Sequence, residues 1–263
     1  MAYTTLPAVI TSIGSPTRVP STSKINIPNT GVTDIPASLP LFSSLAPSVT
    51  WLQVVQADRG ITLNGSTVSA WADQSGNAKD YSEATNQPTY NATGLNGRPT
   101  LTFDGVNDLL SSSLNLAAPG TTPTWFFFCM KQITWTMLDI LLGDGAAQAH
   151  LLYQATATPQ LSLNSSLDSA HNSAATIGAW VRTEGLFTNS VSDYLKCGAT
   201  SVTGTGAGNS ASTGRKIGKT QSLSGFANME IFALGYASAE PTAAEKLALS
   251  NWAQLYGGAG VAI

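Results

Sequence analysis

The glutamates are the first residues to test for chemistry, because hydrolysis of a glycosidic bond needs two carboxylates at a defined separation. The chain has five of them, scattered through the sequence: Glu83, Glu184, Glu230, Glu240 and Glu245. No predicted strand carries alternating acidic residues, and Glu230 is the best single candidate. A lone glutamate on a strand is more simply explained as an outward or edge residue. The sequence therefore predicts no catalytic residues and favours a protein that is not an enzyme.

Other reactive side chains are equally sparse. His150 and His171 are the only histidines, and no Gly-x-Ser-x-Gly motif is present, so a serine hydrolase site is not indicated. The segment 204–208 is rich in glycine but lacks the Lys-Ser/Thr ending of a phosphate-binding loop. Cys129 and Cys197 are too few for a cysteine metal site, and two thiols are favoured over a disulfide.

Two turns are rich in oxygen ligands that would suit calcium. Asp104, Asn107 and Asp108 lie in one predicted turn, and Asp73 and Asn77 lie in another. The same side chains also cap turns by accepting hydrogen bonds from backbone N–H groups. Calcium affinity rises with the number of charged ligands, so capping is favoured. We expect no cofactor, with calcium at Asp104, Asn107 and Asp108 as the alternative.

Aromatic side chains beside polar loops could stack on a sugar ring. Tyr81, Tyr90, Trp135 and Tyr153 have this context and are the candidate carbohydrate-binding residues. Most of the tryptophans instead lie in strand or helix patterns that predict core positions.

The composition limits the partners. Only 10% of residues are charged and the net charge is −3, so the chain has no basic surface for nucleic acid. The longest apolar run, Trp125–Met130, is too short to cross a bilayer, and no membrane insertion is expected. The N-terminal segment has neither a positive region nor an apolar region of the kind that directs secretion, so we expect no signal peptide.

Hydrophobic alternation predicts a mostly β protein with one helix. Asn64-Gly65 and Asn96-Gly97 predict tight hairpin turns. Residues 124–133 read as a central strand because they are apolar on both faces. Residues 243–256 predict a helix with an apolar stripe of Leu247, Leu249, Trp252 and Leu255.

Residues 1–45 differ from the rest, because prolines recur through a Ser/Thr-rich segment without apolar periodicity. We predict an extended docking arm over residues 1–45 and a single folded domain over residues 46–263. The arm either docks the protein in an assembly or wraps its own surface as a leader.

Four motifs in the domain resemble a known fold. These are W-x-D-x-S-G-N from Trp71, Q-P-x-Y from Gln87, L-N-G-x-P-x-L-x-F-D-G-x-N-D-x-L from Leu95, and the C-terminal segment from Gly225 to Gly257. Over residues 49–258 the chain resembles the concanavalin A-like, laminin-G-like jelly rolls of the kind found in phage virion proteins. The resemblance implies an all-β antiparallel sandwich (jelly roll) with one short C-terminal helix, behind an extended N-terminal arm.

The resemblance and the low charge together favour a structural protein of a phage particle. We expect a decoration or tail-associated subunit at the virion surface, made in the host cytoplasm and forming homo-oligomers. Residues 1–45 would contact other virion proteins. The alternative is a carbohydrate-binding adhesin that attaches to cell-surface glycans, and a glycoside hydrolase ranks last because no carboxylate pair is visible.

Overall fold

The computed structural model describes residues 24–27, 31–34, 39–119, 121–145, 150–164, 168–188, 193–206, 210–219 and 225–263. Backbone contacts divide the chain into two compact units, Met1–Leu39 and Pro40–Ile263, and each is described by itself. The first unit contains an antiparallel pair, β1 (Lys24–Ile27) and β2 (Gly31–Asp34). Of the predicted arm, residues 1–23, 28–30 and 35–38 lie outside the described residues, so its docking role stays a prediction.

The second unit is built from short strands that are almost all antiparallel, with one α-helix near the end of its described part. The strands are β3 (Trp51–Gln56), β4 (Ile61–Asn64), β5 (Thr67–Trp71), β6 (Tyr81–Ser82), β7 (Thr89–Leu95), β8 (Arg98–Asp104), β9 (Leu110–Ser112), β10 (Thr124–Gln132), β11 (Asp139–Asp144), β12 (Leu151–Gln154), β13 (Leu161–Asn164), β14 (Asp168–Asn172), β15 (Trp180–Phe187), β16 (Asp193–Cys197), β17 (Thr200–Gly204), β18 (Arg215–Ile217), β19 (Gly225–Phe226), β20 (Asn228–Ala237) and β21 (Val261–Ala262). The helix is α1 (Ala243–Gly257), and 3-10 turns cover Phe42–Leu45 and Gly258–Gly260.

Strand pairing forms two arrays. The first runs β17–β16–β15–β10–β20, beyond which β3 and β8 both pair with β20, and β7 pairs with β8. The second runs β4–β5–β6–β9–β18–β11–β12–β13–β14. Within the described residues, β5 and β7 pair at Thr67 and Thr89, which links the arrays at one edge. The result is the antiparallel sandwich that the sequence predicted.

Strand β10 is the centre of the first array because it packs on both faces. Its residues from Trp125 to Met130 are all 0% exposed. Phe126 packs against Phe187 on one face, with ring centroids 5.6 Å apart. Phe127 points the other way and contacts Phe42 at 5.1 Å. A strand covered on both faces needs a continuous apolar sequence, and the run supplies it.

Helix α1 covers the outer face of this array. Thr242 and Glu245 form a capping box at its first turn, which satisfies backbone donors that a helix end leaves unpaired. Glu245 also accepts hydrogen bonds from the Ser48 backbone and side chain, at 2.8 and 2.5 Å. At the other end, Tyr256 stacks on Phe232 with centroids 4.4 Å apart. The helix is therefore fixed at both ends.

The predicted fold class, all-β and antiparallel with one short C-terminal helix, is confirmed. The predicted stripe of the helix is partly wrong, because Leu247 and Leu255 are 61% and 47% exposed. The buried face instead combines Leu249 and Trp252 with Ala253 and Tyr256. Within the described residues, no helix is both long and apolar enough to cross a membrane.

Candidate functional site

A cleft of about 790 Å³ opens between the N-terminal half of α1 and the β15–β16–β17 edge of the first array. This volume lies in the range of about 300–1,000 Å³ that small-molecule sites occupy. We call it the helix cleft, and its walls are Arg182, Glu184, Tyr194, Lys196, Ala199, Ser201, Thr203, Glu240, Ala243, Lys246, Leu247 and Ser250.

Strand geometry places the charged side chains. Residues two apart on a strand share a face, so Arg182 and Glu184 of β15 point the same way. The β15–β16 register sets Glu184 opposite Lys196 and Leu186 opposite Tyr194. Both β16 side chains therefore lie next to those of β15 in the wall of the cleft.

Tyr194 occupies the centre of a hydrogen-bond chain. Its hydroxyl accepts from Trp125 Nε1 at 2.8 Å and donates to Glu240 Oε1 at 2.9 Å. Burial raises the pKa of Tyr194, and the negative charges of Glu184 and Glu240 raise it further. The phenol therefore stays protonated at neutral pH, and both carboxylates lie close enough to act on it.

The two carboxylates differ in their surroundings. Glu184 is enclosed, with its side chain 2% exposed, and pairs with Arg182 at 3.2 Å and with Lys196 at 3.9 Å. Glu240 is open, with its side chain 34% exposed, and its Oε1 pairs with Lys246 Nζ at 2.5 Å. One carboxylate is thus held in the wall, and the other faces the solvent at the rim.

The cleft is rich in positive charge. Burial lowers the pKa of Lys196, as do the charges of Arg182 and Lys246, while Glu184 acts in the opposite direction. Arg182 is 1% exposed, and its Nε and Nη2 have no hydrogen-bond partner among the described residues. The cleft therefore combines an exposed carboxylate and partly exposed lysines with a protonated phenol, while the unpaired donors of Arg182 are closed off from solvent.

The residues proposed for calcium form a capped turn. Asp104 Oδ1 accepts hydrogen bonds from the backbone N–H groups of Val106, Asn107 and Asp108, at 2.8–3.3 Å. Asp108 Oδ2 in turn accepts from the backbone of Asp104 at 3.0 Å. Within the described residues, no group of three or more His, Cys, Asp or Glu side chains could hold a metal ion. Calcium binding at this turn stays a prediction, because hydrogen bonds from the backbone already account for the positions of the Asp104 and Asp108 carboxylates.

The second oxygen-rich turn is also tied to the backbone. Asp73 Oδ1 accepts from the backbone N–H groups of Val54 and Ser75, both at 2.9 Å. Asn77 donates to the carbonyl groups of Trp51 and Leu52, at 2.9 and 3.1 Å.

The four aromatic residues predicted to bind sugar lie on different elements, and one of them is in the core. Tyr81 is 0% exposed inside the core, so the prediction is wrong for this residue: strand β6 turns its ring inward between the arrays. Tyr90, Trp135 and Tyr153 are half-buried and lie on β7, in the loop before β11 and on β12. Trp135 Nε1 donates to the Thr156 carbonyl at 2.6 Å, which ties its ring to a neighbouring loop. None of the four lines the helix cleft.

The site that the structure does assemble was not found from the sequence. Glu230, the preferred glutamate, pairs with Lys131 at 2.9 Å and lies outside the cleft. Glu184 and Glu240 come together from positions 56 residues apart, one on β15 and one just before α1. One sequence feature could have indicated this site: Arg182 precedes Glu184 by two residues on a strand rich in apolar residues. Two opposite charges on the same face of such a strand need polar surroundings, which a cleft supplies.

Solved structures share this fold at low sequence identity. No protein-family model matches the chain, and no curated protein sequence matches it. A Trypanosoma rangeli sialidase aligns with TM-score 0.54 and 13% identity, over 77% of this chain and 33% of its own. A GH54 α-L-arabinofuranosidase soaked with a cyclic sulfate inhibitor aligns with TM-score 0.59 and 11% identity, over 82% of this chain and 64% of its own.

A third similar structure is the binding domain of botulinum neurotoxin serotype D, with TM-score 0.57 and 10% identity, over 80% of this chain and 53% of its own. The chain therefore spans less than two thirds of the length of each of these proteins. At such identities the likeness shows the fold alone.

These findings overturn the predicted function. The sequence favoured a virion structural protein, with an adhesin as the alternative and a glycoside hydrolase last, whereas the similar structures include a sialidase and arabinofuranosidases. The five glutamates are scattered in the sequence, which ranked a hydrolase last, whereas the helix cleft brings together Glu184 of β15 and Glu240, which precedes α1.

Proposed function

We propose that the helix cleft binds a saccharide and hydrolyses a glycosidic bond. The observation that carries the proposal is the convergence of Glu184 and Glu240 on Tyr194 within one cleft. Glycosidases use such a pair, one carboxyl group to protonate the leaving oxygen and one to act on the other side of the sugar. The occurrence of this fold in glycosidases supports the proposal.

The difference in exposure assigns the two roles. Glu240 lies at the rim, where its side chain can take a proton from solvent and pass it to a leaving group, so it is the proposed general acid. Its contacts with Lys246 and Tyr194 favour the ionised form, so activity should rise as the pH falls into the acidic range. Glu184 is too enclosed to contact a sugar ring but can hold a water molecule, so it is the proposed general base. Tyr194 is a positioning residue, because its hydroxyl fixes one oxygen of Glu240.

The test is release of reducing sugar by the full chain from a panel of plant, bacterial and animal polysaccharides. Glu240→Gln keeps the shape of the side chain but removes the acid, and we expect kcat to fall roughly 10²- to 10⁴-fold. Glu230→Gln is the matched control, because it alters a glutamate in an ion pair outside the cleft. We expect its activity to stay within about twofold of the wild type, since it alters no group of the proposed mechanism.

Two outcomes would contradict the proposal. One is the absence of sugar release from every polysaccharide in the panel. The other is activity that Glu240→Gln and Glu230→Gln leave equally intact. Glu240 is the better position for the test than Glu184, because its side chain is 34% exposed and its replacement leaves the buried ion pair in place.

A further inference from the structure

The two lysines that line the helix cleft are held in different ways. Their side chains are similarly accessible, with Lys196 29% and Lys246 26% exposed. Lys246 Nζ contacts Glu240 Oε1 at 2.5 Å, and this ion pair holds its ammonium form. Lys196 Nζ lies 3.9 Å from Glu184 Oε1, which is longer than a hydrogen bond, and Glu184 also pairs with Arg182. Lys196 is therefore the cleft lysine that is less firmly bound to a carboxylate.

Strand β16 presents the side chain of Lys196 to the cleft. Alternate residues of β16 are buried, so Tyr194 and Lys196 share its other face. Lys196 lies opposite Glu184 of β15 on one side and opposite Ser201 of β17 on the other. All four residues line the cleft, so a molecule that enters it can reach the lysine amine.

The surroundings of Lys196 favour its neutral amine. Burial has the largest effect in lowering the pKa of Lys196, and the charge of Arg182 lowers it next. Glu184 acts in the opposite direction, and Lys246 lowers the pKa again. A lysine that is partly desolvated beside other cations keeps more of its amine unprotonated at neutral pH, and the unprotonated amine is the nucleophile. The other titratable side chains that line the cleft are Tyr194 and Glu240.

We infer that Lys196 is a covalent modification site for aldehydes, including the open-chain form of a reducing sugar. Its nitrogen attacks the carbonyl carbon and forms a C–N bond, while a proton passes from the nitrogen to the carbonyl oxygen. The resulting carbinolamine loses water, which carries away the oxygen and the second amine proton and leaves an imine. Only the source of a sugar aldehyde rests on the proposed function, because hydrolysis in the cleft would release a reducing end beside Lys196.

The test treats the full chain briefly with glyceraldehyde and sodium cyanoborohydride, which reduces the imine to a stable amine. Peptide mass spectrometry then measures the label on each lysine. Lys246 is the control inside the cleft, and Lys131, which is 22% exposed and paired with Glu230 at 2.9 Å, is the control outside it. At pH 7 we expect at least about threefold more label on Lys196 than on either control. Equal or lower labelling of Lys196 would overturn the inference.

A pH series separates reactivity from accessibility. Because the pKa of Lys196 is lowered, its labelling should reach its maximum at a lower pH than that of Lys131, and coincident profiles would overturn the inference. Lys246→Gln removes one of the cations that lower the pKa of Lys196. The profile of Lys196 should then move to higher pH while that of Lys131 stays in place, and an unmoved profile would contradict the electrostatic argument.

This inference and the hydrolase proposal fail in different ways, because labelling needs no polysaccharide. Preferential labelling of Lys196 in a chain that releases no sugar would remove the hydrolase proposal and leave the modification site standing. Sugar release by a chain whose Lys196 is labelled no faster than Lys131 would do the reverse.

Discussion

The ion pair between Arg182 and Glu184 gives a quantitative prediction, because Glu184 has a second ion-pair partner among the described residues and Arg182 does not. Both side chains are almost fully buried, at 1% and 2% exposure, with Nη1 and Oε2 3.2 Å apart. Glu184 has a second cation, Lys196, at 3.9 Å. Arg182 has no other hydrogen-bond partner among the described residues for its Nε and Nη2.

Removing one partner of a buried pair costs about 3–5 kcal/mol of unfolding free energy, because the remaining charge is left uncompensated. We expect Glu184→Leu to lie near the upper figure, since Arg182 then loses its carboxylate altogether. Arg182→Met should lie near the lower figure, since Lys196 still faces Glu184. The double variant leaves neither charge buried, and it should be more stable than either single variant.

The assay is urea unfolding of the full chain, followed by tryptophan fluorescence, with the free energy extrapolated to water. The control is the pair Lys131 and Glu230, which is 2.9 Å apart but 22% and 17% exposed. Its single variants should cost less than those of the fully buried pair, because both of its side chains keep some contact with solvent. Greater destabilisation by Arg182→Met than by Glu184→Leu, or a double variant less stable than both, would contradict this expectation.

Three further predictions concern single residues. Tyr194→Phe removes the hydrogen bond to Glu240, so kcat should fall roughly tenfold or more. It also leaves Trp125 Nε1 without its acceptor, so urea unfolding should show a loss of about 1–3 kcal/mol; full activity of the folded variant would contradict the positioning role. Thr242→Ala removes the side chain that caps α1 at Glu245, and urea unfolding should show a loss of about 1 kcal/mol; no loss would mean that the capping box contributes nothing. Burial raises the pKa of Asp108 to about 6, above the ordinary 3.8, so the folded state binds this proton more tightly than the unfolded chain. Relative to Asp108→Asn, the wild type should therefore lose stability as the pH rises from about 4 to 6 and change no further above it, and parallel pH profiles would refute the assignment.

The β scaffold could be predicted because its signals are local. Asn96 and Gly97 both adopt positive φ, at 50° and 71°, as the tight hairpin between β7 and β8 requires. The apolar sequence of β10 follows from burial on both faces, and the first turn of α1 carries its own capping residues. Each of these features depends on residues that are close together in the sequence.

The helix cleft could not be predicted because it depends on distant parts of the chain. Lys196 lies opposite Glu184 because of the register between β15 and β16. Glu240 follows β20 in the chain, so strands β17 to β20 separate it in sequence from β16. The burial of Tyr81 likewise depends on the pairing of β6 with β5 and β9. Periodicity assigns a residue to a strand, but it does not decide which strand will lie beside it.

The most direct test of the proposed site is a crystal structure of the Glu240→Gln chain soaked with oligosaccharides from the polysaccharide panel. We predict a sugar in the helix cleft, with a glycosidic oxygen within hydrogen-bond distance of residue 240. A sugar bound instead at Tyr90, Trp135 or Tyr153, with the cleft empty, would contradict it.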